Sequence, residues 1–176
     1  MTSKLKVNLI NDSGDNNIIT SDGSGNVTLG TAFPSVGKIG QVVTTAHTSN
    51  VNTSSTSYVD VSGFSASITP SSTSSKILIL TDMQFYVAGN SQGNNGYVQI
   101  VRDSTAIVQR RSQTYNQASA SGIEYENQIS FVYTDSPSTT SSVTYKIQFR
   151  LGNGSNVYLN HGSSQTGSIT LMEVLA

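Results

Sequence analysis

The stretch Val143-Thr144-Tyr145-Lys146-Ile147-Gln148-Phe149-Arg150-Leu151 decides the fold, because apolar and polar side chains alternate along it without a break. Successive side chains of a β-strand point to opposite faces, so a period of two predicts one buried face and one solvated face. Strands of this one-sided kind are typical of antiparallel sheets. The stretch therefore predicts an all-β protein.

The same period of two continues in other segments of the chain. Between residues 76 and 87, one side of the predicted strand is mostly apolar, and Leu78, Leu80 and Tyr86 interrupt the polar side, which indicates that part of it is covered too. Further candidate strands lie at residues 39–46, 58–68, 96–102, 106–111, 124–134, 156–160 and 168–175. A tight hairpin is predicted at residues 103–105, and other turns at residues 71–75, 89–95 and 136–140. Eight or nine short strands in about 140 residues predict a two-sheet antiparallel β-sandwich of the jelly-roll type.

The first 36 residues differ from the rest of the chain. Two short β-prone pieces, residues 5–10 and 26–29, lie among turn residues, and Phe33-Pro34-Ser35-Val36-Gly37 reads as a junction. Such pieces cannot close a core alone, since ordering each residue costs about 1–2 kcal/mol of backbone entropy. We therefore expect a head domain at residues 37–176 and an N-terminal anchoring arm at residues 1–36. The apolar residues of the arm are Leu5, Val7, Leu9, Ile10, Val27 and Leu29.

Composition excludes several functional classes. About fifty of the 176 residues are Ser or Thr, none is Cys, and the net charge is -1. A near-neutral chain lacks the excess of Lys and Arg that nucleic-acid binding requires, and the longest apolar run is too short to insert in a membrane. Without Cys, disulfides and thiolate metal sites are excluded. The N-terminus carries no signal-peptide pattern, so we expect synthesis in a cytoplasm.

Five strings carry a resemblance to a known family. They are Val61-Ser62-Gly63-Phe64, the segment 68–79, Ile100-Val101-Arg102-Asp103-Ser104-Thr105, Thr144-Tyr145-Lys146-Ile147-Gln148 and Ser168-Ile169-Thr170-Leu171-Met172-Glu173-Val174. These strings resemble the C-terminal head domains of tail fibres and related virion appendages of marine bacteriophages. Residues 18–30 are similar to the short β repeats that precede such heads.

The resemblance implies a virion structural protein, assembled in the host cytoplasm, that forms a homotrimer with a jelly-roll head like those of tumour-necrosis-factor-like domains. The arm would then dock on other virion proteins, in a tail fibre or spike, a head fibre or a capsid decoration. Attachment to a host-surface glycan is a further expectation. The alternative from another class is a monomeric carbohydrate-binding β-sandwich module. An enzyme is not expected.

Candidate catalytic and metal-binding residues have simpler explanations. The segment 22–26 spaces oxygen side chains as a calcium loop does, but no Glu follows to close the site, so we expect a plain turn and no metal. His47 and His161 lack the orienting groups of a nucleophilic site, and we expect both to be exposed to solvent. Glu124 and Glu126 lie two residues apart on one predicted strand, a spacing that any solvated strand offers. No cofactor is expected.

Two groups of polar residues are candidates for a contact surface. Tyr115 lies in a polar segment with Asn116, and the predicted loop at residues 89–95 contains Asn94 and Asn95. Arg110 and Arg111, with Arg102, concentrate charge around the predicted hairpin and could contact a trimer partner or an anionic glycan. A solvated hairpin edge is the simpler explanation of these arginines.

Overall fold

The computed structural model describes residues 8–29, 37–89, 93–114, 126–162 and 165–176. The chain divides into two units, Met1–Val36 and Gly37–Ala176. The described residues form antiparallel strands and no helix. The prediction of an all-β, antiparallel protein is therefore confirmed.

The first unit contains a three-stranded sheet of β1 (Leu9–Asn11), β2 (Asn17–Ser21) and β3 (Val27–Leu29), in that order. Its two turns repeat one arrangement, in which an Asp carboxylate accepts hydrogen bonds from the Asn four residues later. The side-chain amide of Asn16 donates to Asp12 at 3.0 Å and that of Asn26 donates to Asp22 at 2.6 Å. These Asp side chains hold the turns between strands that are short and polar.

The predicted arm residues are only partly within the described chain. Leu9 and Ile10 lie in β1 and Val27 lies in β3, and all three side chains are exposed. Leu29 ends β3, whereas Leu5 and Val7 lie outside the described residues. The middle strand β2 was not among the β-prone pieces predicted from the residues, although residues 18–30, which resemble short β repeats, include most of it.

The described residues of the second unit form ten strands in two sheets. One sheet has six strands: five follow the order β4-β13-β7-β12-β5, and the sixth, β10, pairs with β7. The other sheet has four strands in the order β6-β11-β8-β9. The strands are β4 (Ile39–His47), β5 (Val51–Thr53), β6 (Val59–Ile68), β7 (Lys76–Ala88), β8 (Asn94–Arg102), β9 (Thr105–Thr114), β10 (Glu126–Asp135), β11 (Val143–Asn153), β12 (Asn156–Leu159) and β13 (Gly167–Val174). Nine of these ten were predicted with small boundary differences. The exception is β5, which has one apolar residue in three.

Strand pairing in the second unit is nested around one hairpin. β8 pairs with β9, β7 with β10, β6 with β11 and β4 with β13, all antiparallel. The predicted hairpin turn at the centre is confirmed, with Thr105 as the first residue of β9. Asp103 adopts a φ of 52° in this turn, a left-handed conformation that Asp tolerates better than most residues.

The inward side chains of both sheets form one core. Ile79, Met83 and Phe85 of β7 join Tyr145 and Ile147 of β11 in a single cluster of fully buried residues. Burying such side chains stabilises the fold by about 1.5–3 kcal/mol each. The period of two in β7 and β11 therefore marked the core correctly.

A polar group of three residues ties the two sheets together. The Tyr145 hydroxyl of β11 donates to Oδ2 of Asp135 in β10 at 2.7 Å, and a guanidinium nitrogen of Arg102 in β8 lies 2.7 Å from the same oxygen. Tyr145 is fully buried and Asp135 nearly so. Burial and this hydrogen bond raise the pKa of Tyr145, so the phenol remains a donor at all ordinary pH values. Arg102 therefore forms its ion pair with Asp135 of the same chain.

Candidate assembly surface

An apolar surface lies on the side of the six-stranded sheet that faces away from the core. Since Ile77 and Ile79 of β7 point into the core, Leu78 and Leu80 point outward. Strand register places further apolar residues beside these two, from β10 and β13 and then from β4. We call this set the apolar face; it consists of Ile39, Val42, Leu78, Leu80, Val132, Met172 and Val174.

The apolar face is open to solvent. Val132 is 69% exposed, Val42 54% and Ile39 48%, and among the described residues of the second unit these are the exposed large hydrophobic side chains. Four adjacent strands and three cross-strand rows give the face dimensions of roughly 14 by 14 Å. Exposed apolar side chains that neighbouring strands share, rather than scattered singly, make this surface a candidate for contact with another protein.

The outward side of the four-stranded sheet has the opposite character. Lys146 pairs with Asp60 at 2.9 Å, and Gln148 donates to the same carboxylate at 2.6 Å. The Arg150 guanidinium lies 3.8 Å from the ring centroid of Tyr97 and 5.1 Å from that of Tyr58. The side chains on this surface therefore interact with one another through an ion pair, a hydrogen bond and cation–π contacts. The two outer surfaces of the second unit are therefore chemically distinct.

The structure describes four of the six predicted contact residues. Asn94 and Asn95 begin strand β8 and are buried, so the prediction of an exposed loop up to residue 95 is wrong at these two positions. Arg110 and Arg111 are exposed in β9 and point to opposite sides of the sheet. Tyr115 and Asn116 lie outside the described residues. The apolar face was missed because its residues come from four strands, and only Leu78 and Leu80 gave a signal in the sequence.

His47 is buried, contrary to the prediction. Only 4% of it is exposed, and its ring stacks on Phe64 with centroids 4.8 Å apart. Nε2 lies 3.2 Å from the Ser62 carbonyl, while the amide nitrogen of Asn160 lies 3.2 Å from Nδ1 and 2.7 Å from the His47 carbonyl. Asn160 donates to Nδ1, so Nε2 carries the proton and the ring is neutral. Burial lowers the pKa of His47 despite the hydrogen bond to Ser62.

Glu173 is a second buried titratable residue, and it is held in the charged form. Its carboxylate accepts hydrogen bonds from Gln41 at 2.8 Å, from the Ser71 backbone N–H at 2.6 Å and from the Ser71 hydroxyl at 2.7 Å. Burial opposes ionisation, but the donors together outweigh it and lower the pKa of Glu173 to about 2.

We expect acid to destabilise the protein in two separate pH ranges. His47 has its pKa lowered by folding, so stability is complete above about pH 6.5 and declines below it as the unfolded chain takes up the proton. Glu173 adds a loss that begins as the pH falls below about 4.5 and continues toward its folded pKa of about 2. In His47→Phe, urea unfolding should lose the first decline and keep the second. A decline between pH 7 and 5.5 that persists unchanged in this variant would contradict the assignment.

The described residues offer neither a metal site nor a membrane-spanning helix. Within them, no three His, Asp or Glu side chains lie close enough together to hold a metal ion. The same residues contain no helix long and apolar enough to cross a membrane. The Asp22 carboxylate instead accepts hydrogen bonds from the Ser24 backbone N–H and from Asn26, within its own turn.

No protein-family profile and no curated protein matches the sequence. Among solved structures, the chain is similar to VP2 of infectious bursal disease virus in a subviral particle, with 13% identity and a TM-score of 0.42 over 86% of this chain and 36% of that chain. The chain is also similar to a structure of the T13 particle of that virus, with 15% identity and a TM-score of 0.41 over 93% of this chain and 41% of that chain. Its similarity to the insecticidal delta-endotoxin Cry8Ea1 from Bacillus thuringiensis has 15% identity and a TM-score of 0.40 over 91% of this chain and 30% of that chain.

This chain thus spans less than half the length of each of these proteins. The three TM-scores are below 0.5, so these similarities carry no inference about function.

Proposed function

We propose that this chain is a structural protein of a bacteriophage virion and that it assembles as a homotrimer through the apolar face. The observation that supports assembly most directly is the asymmetry of the second unit. Its exposed large hydrophobic side chains share one sheet surface, and the opposite surface carries hydrogen-bonded polar groups. Burying apolar area contributes about 25 cal/mol per Å², so contact between copies would stabilise the assembly.

The strand order supports the same proposal. Without β5 and β12, the sheets read β4-β13-β7-β10 and β6-β11-β8-β9, which is the order obtained when one long antiparallel ribbon is rolled into two layers. We propose that this is a jelly roll. In the trimeric heads that the sequence resembles, copies of such a domain surround one axis. A cyclic arrangement lets each copy cover the apolar face of a neighbour and closes without exposed ends.

We further propose that the Met1–Val36 unit attaches the protein to other virion proteins, on either the capsid or the tail. Exposed Leu9, Ile10 and Val27 on a sheet of three short strands support this role. Strands of three to five residues bury little apolar area, so a partner that covers these side chains would stabilise the sheet.

The oligomeric state of the purified full chain tests assembly. We expect light scattering and sedimentation equilibrium to report three times the chain mass of 18.6 kDa. A monomer at every protein concentration would contradict the trimer and favour a monomeric carbohydrate-binding module.

Imaging of purified phage particles tests the virion role. An antibody against the chain should label regular positions on the capsid or tail. If the protein is found only in the lysate and never on particles, the virion role is contradicted even when the protein is trimeric.

A further inference from the structure

Three aromatic rings cluster on the outward side of the six-stranded sheet, away from the apolar face. We call Tyr86, Tyr158 and His161 the aromatic cluster. Their ring centroids lie 5.5 Å apart for Tyr86 and Tyr158, 4.7 Å for Tyr86 and His161, and 4.9 Å for Tyr158 and His161. Tyr86 is buried beneath the other two, which are partly exposed. The cluster therefore presents aromatic surface to solvent on a rigid sheet.

Hydrogen-bonding groups surround the aromatic cluster. Nδ1 of His161 lies 3.2 Å from Oε1 of Glu126, whose side chain is 47% exposed. The His161 backbone N–H donates to Oε1 of Gln84 at 2.5 Å. Gln84 is 6% exposed, and its Nε2 is buried without a hydrogen-bond partner. The Gln84 side chain therefore holds the backbone of His161 in place.

A polar band separates the aromatic cluster from the apolar face. Gln128 and Ser130 of β10 both donate to Asp82 of β7, at 2.6 and 3.0 Å. Along β7, Tyr86 lies roughly 20 Å from Leu80 at the strand rise per residue. An assembly that covers only the apolar face therefore leaves the aromatic cluster in solvent.

We propose that the aromatic cluster and Glu126 form a binding site for a neutral hexose unit of a glycan. The C–H face of a pyranose ring packs on partly exposed aromatic rings, while a carboxylate accepts hydrogen bonds from two neighbouring hydroxyl groups. The negative charge of Glu126 disfavours sugars that carry a carboxylate or sulfate.

Two other tyrosines with partly exposed rings do not offer the same surface. The guanidinium of Arg150 lies over the rings of both Tyr97 and Tyr58. These rings are already engaged in cation–π contacts. Tyr97 is therefore a matched control for Tyr158, since both are partly buried tyrosines on outward sheet surfaces.

Titration of the full chain with methyl glycosides of glucose, galactose and N-acetylglucosamine, followed by NMR, tests the site. At least one should bind with a dissociation constant of about 1 mM, a typical strength for a single shallow site, and should shift the His161 resonances. Tyr158→Ala should weaken binding at least about tenfold and Glu126→Gln several-fold, whereas Tyr97→Ala should leave it unchanged. N-acetylneuraminic acid should not bind.

The proposal is overturned if none of the three glycosides shifts His161, or if Tyr97→Ala weakens binding as much as Tyr158→Ala. Stronger binding of N-acetylneuraminic acid than of the neutral sugars would also overturn it. The site lies within one chain, so a variant that no longer assembles should still bind the sugar. Failure of this inference and failure of the proposed trimer are therefore separate results.

Discussion

The double variant Val42→Glu/Val132→Glu is expected to be a folded monomer. Both side chains are more than half exposed within one chain, so the substitutions should cost the isolated fold little. In the proposed trimer, the same positions would place carboxylates in an apolar contact, where an unpaired charge costs several kcal/mol. A loss of about 4 kcal/mol per contact corresponds to about a thousandfold weaker association.

Light scattering of the variant and the wild type at equal concentrations measures this effect, and far-UV circular dichroism reports whether the variant is folded. The matched control is Ser67→Glu/Thr105→Glu, which adds the same charges to exposed strand positions of the four-stranded sheet. The control should remain trimeric. If the apolar-face variant keeps the wild-type mass, the apolar face is not the contact between copies.

Asp135→Ala is expected to lower the free energy of unfolding by about 3 kcal/mol. The substitution leaves the buried Tyr145 hydroxyl without its acceptor and removes the carboxylate that neutralises Arg102. Because Asp135 belongs to β10 and the other two residues belong to β8 and β11, the loss also removes a polar link between the sheets. Urea unfolding at a fixed protein concentration measures the change, since assembly makes apparent stability depend on concentration.

Two variants give the scale for this result. Tyr145→Phe removes one hydrogen bond and keeps the ion pair, so it should cost about 1 kcal/mol. Asp60→Ala removes the ion pair with Lys146 and the hydrogen bond from Gln148. Because the Asp60 side chain is 54% exposed and that of Lys146 is 29% exposed, the loss should be no more than about 1 kcal/mol. If the Asp135→Ala protein is as stable as the Asp60→Ala protein, the Asp135–Arg102 pair contributes no more to stability than the exposed Asp60–Lys146 pair.

The sequence predicted the strands of the second unit well because their alternation is strong. β7 and β11 each bury five or more side chains on one side, and that pattern is visible without any knowledge of the partner strands. β5 and β2 were missed for the opposite reason, since a strand of three to five residues that relies on its neighbours has too few apolar positions to show a period.

The candidate surfaces depend on pairing, which the sequence alone does not fix. Leu78, Leu80 and Tyr86 signalled that the outward side of β7 is partly covered, but only the register adds Val42 and Val132 to the first two. The same register places Tyr158 beside Tyr86. His47 gave no signal of burial, because the polar segment Thr48-Ser49-Asn50 follows it and its packing partner Phe64 lies on another strand.

Nesting also determines the entropy cost of closing the fold. Pairing Ile39 with Val174 directly would close a loop of nearly the whole second unit, and such contacts between distant residues slow folding. Once the strands flanking Asp103-Ser104 have paired, each outer pair forms against an existing ribbon, so the loop that it closes is much shorter than the separation of its residues in the sequence. A topology with contacts between distant residues can therefore form in successive steps, from the central β8–β9 pair outward, each of which closes a small loop.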